Sequence, residues 1–207
     1  MSAAMDAMSQ LGMAVLAADD VEAGATVGGE EQLRRRFEIE ALPHLRSLYG
    51  TAYRMTRNAH DAEDLVQETM LRAFRAFDGY APDTNARAWL YTILHRVRTD
   101  AYRKRARSPQ TVELPEQGPA TAPEQAALFH GGEDIERALQ ALPEAFRTAV
   151  VLRDVQDFTY DEIARITEVP IGTVMSRIHR GRALLRHSLA AMRPMDPQRA
   201  RRLEEVM

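Results

Sequence analysis

Thr159-Tyr160-Asp161-Glu162-Ile163-Ala164-Arg165-Ile166-Thr167-Glu168-Val169-Pro170-Ile171-Gly172-Thr173-Val174-Met175-Ser176-Arg177-Ile178-His179-Arg180 reads as two short helices separated by a tight turn. Thr159 and Glu162 have the spacing of a capping box, and Ile163 and Ile166 supply one apolar face. Glu168-Val169-Pro170 ends the first helix, because the residue before a proline is driven out of the α region. The second helix starts near Ile171. At about 100° per residue, Val174, Ile178, Gly181 and Leu185 share its inner face, while Ser176, His179, Arg180 and Ala183 point the other way. Arginine presents a planar fork to guanine edges or phosphates, and small neighbours allow close approach, so this outer face suits a helix lying in a DNA major groove. An ordinary surface helix with solvated arginines would look the same in isolation. The remainder of the chain separates the two readings.

The chain has 207 residues, of which 45% are hydrophobic and 28% charged, the balance of a soluble globular protein of one or two domains. No apolar run approaches the roughly 20 residues that span a bilayer. The start, Met1-Ser2-Ala3-Ala4-Met5-Asp6, lacks the basic segment of a secretory signal, so the expected location is cytoplasmic, with no membrane contact of its own. With no cysteine there is no disulfide, thiol switch or cysteine-ligated metal centre.

A net charge of −3 conceals an uneven distribution. Arg87, Arg96, Arg98, Arg103, Lys104, Arg105 and Arg107 are interrupted only by Asp100, and Arg177, Arg180, Arg182 and Arg186 by no acidic residue. Two separated basic segments imply two contacts on a polyanion. Acidic residues gather elsewhere, notably in Asp61-Ala62-Glu63-Asp64.

These patterns divide the chain. Residues 1–32 read as a flexible extension rich in Ala, Met and Gly, within which Met5, Met8, Leu11 and Val15 have helical spacing. Residues 33–107 carry three apolar stripes, built on Leu45, Leu48, Ala52 and Met55, on Ala62, Leu65, Val66, Met70, Ala73 and Phe77, and on Leu90, Leu94 and Val97. Asn58-Ala59-His60-Asp61 offers turn and capping chemistry between the first two helices, and Gly79 to Asn85 forms a loop before the third. Residues 108–132, with Pro109, Pro115, Pro119 and Pro123, read as an extended linker that keeps the halves apart. Residues 133–192 hold the second helical domain and 193–207 a tail. The expected fold is all-α: two small helical domains joined by a flexible linker, the second containing a helix-turn-helix.

In that order, bundle, linker and helix-turn-helix resemble a bacterial RNA polymerase sigma factor of the extracytoplasmic-function group, from about Phe37 to Leu189. Asp61-Ala62-Glu63-Asp64-Leu65-Val66-Gln67-Glu68-Thr69 resembles the family's core-polymerase-binding helix. Trp89-Leu90-Tyr91-Thr92-Ile93 with Asp100 and Arg103-Lys104-Arg105 resembles its promoter −10 segment. Ala141-Leu142-Pro143-Glu144-Ala145-Phe146-Arg147 and Gly172 to Arg182 resemble its −35-reading domain.

The resemblance implies an alternative sigma factor, not an enzyme and without a cofactor. Its partners would be core polymerase (the β′ coiled coil and β), promoter DNA and an anti-sigma factor. Core polymerase would meet Asp61, Asp64, Leu65, Gln67, Glu68 and Leu71; the spacing of Asp64, Gln67, Glu68 and Leu71 makes an outward polar and acidic stripe with an apolar end. Tyr80, Thr84, Asn85, Arg96, Arg103 and Lys104 would bind the −10 strand, the loop capturing an unstacked base. Thr173, Ser176, Arg177, His179, Arg180 and Arg182 would bind the −35 duplex. Trp89 reads as a core anchor. The chain departs from the family pattern at Thr92, where arginine is common, at Arg96, where asparagine is, and at Met175, where lysine is frequent. A dimeric helix-turn-helix repressor with a helical sensor domain, or a metal-dependent nuclease using the α-helical carboxylates, would be the competing classes. The acidic stripe beside a basic helix argues against the first, and the lack of a second acidic or histidine-rich motif against the second.

Overall fold

The computed structural model describes residues 27–81, 84–107 and 132–192. The expected tails before residue 27 and after residue 192, and the linker over 108–131, lie outside the described residues.

Helix α1 (Val27–Glu40) begins inside the stretch expected to be a flexible extension, so Gly28 and Gly29 are helical. Two i,i+4 ion pairs, Glu31 with Arg35 and Arg36 with Glu40, favour it, and Phe37 anchors it in the bundle. A short 3-10 turn leads to α2 (Leu45–Thr56), which stops at Arg57 in the left-handed region with φ 65°. Asn58 then caps α3 (Ala59–Ala76), its Oδ1 accepting from the His60 and Asp61 amides at 2.8 and 3.2 Å. Asn85 does the same for α4 (Ala86–Arg107), accepting from the Ala88 amide at 3.0 Å. Phe37, Leu48, Met70, Phe77, Leu90 and Leu94 fill the centre of this four-helix arrangement. Phe37 meets Phe74 and Phe77 edge-on, with ring centroids 5.1 Å away in both cases.

In the second half, α5 (Glu133–Ala141) and α6 (Glu144–Val150) flank Pro143, and α6 runs on into a π-helical turn over Val151–Val155. The capping box expected from the sequence is present at the start of α7 (Tyr160–Thr167), and that helix stops at Glu168, φ 55°. Helix α8 (Ile171–Met192) buries Val174, Ile178 and Gly181 and leaves Ser176, His179, Arg180 and Ala183 exposed, the division that periodicity predicts. A Cβ on Gly181 would lie 2.6 Å from Val150 Cγ2, so α8 crosses α6 where a side chain has no room.

The sequence leads one to expect halves held apart; instead they share an apolar core. Leu152, Phe158, Ile163, Ile166, Val174 and Ile178 join the cluster that contains Phe37, Leu48 and Leu90. Phe158 meets Tyr91 edge-on at 4.9 Å, and the Arg87 guanidinium lies 4.3 Å over the Phe158 ring while donating to the Gln156 backbone and side chain. Burying one phenylalanine stabilises by about 1.5–3 kcal/mol, enough to make this seam a real contact rather than a graze. Polar groups fasten it further. Arg54 donates to Glu136 Oε1 from Nη2 at 2.7 Å and Nε at 2.9 Å, both side chains being largely buried (7% and 14% exposed). Arg147 donates to the carbonyls of Leu139, Gln140, Leu142 and Met55, joining the ends of α5 and α2. Burial, then repulsion from Arg57 and Arg98, pushes its pKa down to about 10.

Candidate nucleic-acid and polymerase interface

The first surface lies on α3. Asp64 and Gln67 are exposed and Glu68 and Leu71 half-buried, forming the outward stripe, whereas Leu65 belongs to the core at 7% exposure and holds the helix rather than lining its outer face. Arg72 donates to Glu68 at 2.6 Å and to Asp100 on α4 at 3.1 Å; the hydrogen bond to Glu68 and then that to Asp100 raise its pKa. His60 lies 3.7 Å from Asp64. Asp61, Asp64 and Glu68 rim a cavity of about 430 Å³ whose floor includes Met55, Leu65 and Val97, with Tyr102 standing 65% exposed at its side. An apolar floor with an acidic rim matches a basic helical partner.

The second surface combines the loop before α4 with α4 itself. Tyr80 is buried, stacked on Phe77 at 5.3 Å and tilted against Trp89 at 4.8 Å, and its hydroxyl donates to the Thr84 carbonyl at 2.7 Å. Tyr80 therefore shapes the loop from beneath. Thr84 donates to the Ala81 carbonyl at 2.8 Å, and Asn85, besides capping α4, donates from Nδ2 to Glu162 Oε1 at 2.8 Å. Trp89 is partly buried and packs on Phe77 and Tyr80, the anchoring position its sequence context suggests. Farther along, Arg103 and Lys104 are exposed, and Arg96 pairs with Glu168 at 2.8 Å. His95 is half-buried with an unpartnered Nδ1, and burial followed by the Arg98 charge lowers its pKa.

Two members of the basic segment work inside the molecule. Arg87 is spent on Phe158 and Gln156, and Arg98 on Glu144 at 3.0 Å and Thr148 at 3.4 Å. Burial lowers the Arg98 pKa, with Glu144 opposing. Nothing in their spacing separates them from Arg96, Arg103 and Lys104; only the long-range packing does.

The third surface is the outer face of α8. Ser176, His179 and Arg180 stand open to solvent beside Met175. Ser176 donates to the Thr173 carbonyl at 3.0 Å, and Thr173 is half-buried. Arg177 is half-buried at the seam, its charge felt at His95, and Arg182 pairs with Asp154 in the π turn. Among the described residues no group of three or more His, Cys, Asp or Glu is arranged to hold a metal ion, and no helix is long and apolar enough to cross a membrane.

An acidic stripe on α3, a polar loop beside an aromatic cluster and a helix-turn-helix with an exposed outer face mark out an all-helical protein of two modules. Residues 42–108 match Sigma-70 region 2, and residues 132–185 match Sigma-70, region 4. The chain is 36% identical to the ECF RNA polymerase sigma factor EcfG of Rhodopseudomonas palustris, over 71% of this chain and 80% of that one. It is 33% identical to SigW of Bacillus subtilis, over 69% and 82% of the two chains. Identity to SigE of Mycolicibacterium smegmatis is 43% over 71% of this chain, which spans 59% of that protein's length. The fold is similar to the sigma factor RpoE of Bartonella quintana, solved in complex with the anti-sigma factor NepR, with a TM-score of 0.60 and 29% identity over 77% of this chain and 99% of that one. The chain belongs to the ECF group of RNA polymerase sigma factors.

Proposed function

We propose that the chain docks on core RNA polymerase through α3, directs it to promoters bearing −10 and −35 elements, and promotes strand opening by holding unpaired bases. The observation that carries this is the co-occurrence, on one chain, of the acidic α3 stripe, the loop residues Thr84 and Asn85 beside Tyr80 and Trp89, and the open face of α8. Asp61, Asp64, Gln67, Glu68 and Leu71 would face the β′ coiled coil, with Leu65 supporting them from the core. Thr84, Asn85, Arg96, Arg103 and Lys104 would contact the melted strand, with Tyr80 beneath. Ser176, His179 and Arg180 would enter the −35 major groove, flanked by Thr173, Arg177 and Arg182. Bond making stays with the polymerase, and the chain works in the cytoplasm. An anti-sigma factor is the expected regulator; the related Bartonella quintana protein was solved with one.

The test is to mix the full-length chain with bacterial core polymerase and to measure co-elution and initiation at a discrete site. Both are expected. Asp64→Lys and Glu68→Lys should weaken co-elution by tenfold or so, about 1.4 kcal/mol, while leaving the melting temperature nearly unchanged. Undiminished binding of both variants would remove α3 as the docking face. Tight duplex binding by a dimer without polymerase would favour a repressor instead.

A further inference from the structure

The outer face of α8 opens with two apolar side chains. Ile171 is 41% exposed and Met175 49%, and the four residues between them place one a turn above the other. Apolar side chains scattered singly over a surface are ordinary, but these two are neighbours at the start of the second helix of a helix-turn-helix. A Cβ on Gly172 would meet nothing within 4 Å, so the surface beside Met175 is low and open. From Val169 to Met192 the chain carries no acidic residue that would repel phosphates, and its arginines begin only at Arg177.

In a helix-turn-helix the N-terminal part of the second helix is the part that meets base edges. Here that part is short of donors. Ser176 spends its hydroxyl proton on the Thr173 carbonyl at 3.0 Å, which leaves its oxygen as an acceptor, and Ile171 and Met175 bring no side-chain donor at all. What an apolar side chain matches on a major-groove edge is the 5-methyl group of thymine. The first side chains able to donate to a base or a phosphate from the exposed face are His179 and Arg180, one turn farther on.

We infer that Met175, backed by Ile171, is a specificity-determining residue of the −35 contact: its thioether packs on a thymine 5-methyl group, while Arg180 takes a guanine edge or a phosphate. This rests on the sigma-factor reading and deepens it. It gives the element this chain selects a thymine requirement that a basic side chain in the same place would not impose. Methionine suits the task because its unbranched, polarizable chain adapts to a shallow apolar surface. A methyl group withdrawn from water contributes about as much as a buried CH₂, ~0.8 kcal/mol, or about fourfold in affinity.

The test starts from a pool of random-sequence duplex DNA, from which the full-length chain selects its site at low salt, where duplex contacts are strongest. Each thymine of the selected duplex is then replaced in turn by deoxyuridine, which removes the methyl group and keeps the base pair. At one or two positions the natural chain should bind the uracil probe about fourfold more weakly. At those positions Met175→Ala should bind both probes alike, and Met175→Leu should keep most of the difference. Arg180→Ala should lose affinity for both probes with their ratio unchanged. A merely structural role for Met175 would leave that ratio unmoved. A pool yielding no site, a site without thymine, equal binding of both probes by the natural chain, or a preference that survives Met175→Ala would overturn the inference. So would a loss of co-elution with core polymerase on Met175→Ala at unchanged ratio, which would make the patch a protein contact. The probe comparison needs no polymerase, so failure of the natural chain to co-elute with core would sink the sigma reading separately.

Discussion

Arg180 stands exposed on α8, opposite the buried Val174, Ile178 and Gly181, and its guanidinium is the side chain there best suited to a guanine edge. Arg180→Ala should weaken binding of a −35 duplex by about 1–3 kcal/mol if it reads a base, and otherwise lower the slope of affinity against salt by about one. Fluorescence anisotropy of the full chain at two salt concentrations separates these outcomes. Histidine supplies a second residue-scale expectation. Burial, then Arg98, lowers the pKa of His95, and burial, then Arg87, that of His44, with Glu168 and Glu144 opposing the shift at His95. Because both folded values lie below the unfolded value of about 6.5, the unfolded chain takes up protons first on acidification. Stability is therefore fully present above about pH 6.5 and falls as pH drops toward the folded values. Melting curves at pH 7.5 and 5.5 should show the loss, and His95→Gln should reduce its size.

At the scale of elements, Gly181 fixes the crossing of α8 over α6. A Cβ there would meet Val150 Cγ2 at 2.6 Å and the Phe146 carbonyl at 3.3 Å, so Gly181→Ala should destabilise by about 1–3 kcal/mol despite the better helix propensity of alanine. Gly172→Ala, with nothing within 4 Å, should be neutral or stabilising. Adding Val150→Ala to the first variant should recover part of the melting temperature, because it removes the struck methyl groups. Elements held by local chemistry are those the sequence reveals. The Thr159–Glu162 capping box, the Asn58 cap and the faces of α8 follow from residues within one or two turns of each other. The start of α1 escaped because Gly28 and Gly29 look like a breaker, and its support comes from Phe37 packing on Phe74 and Phe77 about forty residues away. The π turn at Val151–Val155 escaped for a related reason: its apolar run has no periodicity distinct from that of an α-helix.

For the molecule as a whole, the sequence shows two basic segments and hides how they are shared out. Arg87 and Arg98 close the seam between the halves, whereas Arg103, Lys104 and Arg180 remain exposed, a distinction that depends on residues far along the chain, Gln156 for Arg87 and Glu144 and Thr148 for Arg98. On the proposed reading, polymerase holding the first half would turn two DNA contacts into one spacing-dependent contact. Transcription from a promoter this chain uses should fall sharply when about 5 base pairs, half a helical turn, are inserted between the elements. Replacing Pro115, Gly118 and Pro119 by serine should matter less than deleting residues from 108–131, since reach outweighs sequence in a linker. A promoter indifferent to spacing would contradict the two-point account.

Arg147 would make a separation of the halves asymmetric. Three of the carbonyls it serves, those of Leu139, Gln140 and Leu142, belong to its own half, and only Met55 belongs to the other, through the longest of the four bonds at 3.4 Å. Were the halves to part, the guanidinium would leave with α5 and α6, still holding three carbonyls, and only the Met55 carbonyl in the last turn of α2 would be released to water. Arg54 has the opposite allegiance: its bonds at 2.7 and 2.9 Å run across the seam to Glu136, with one at 3.4 Å to Gly50 on its own helix. One buried arginine is a fixture of its module and the other a clasp, so parting the modules strips a partner from Arg54 and almost nothing from Arg147.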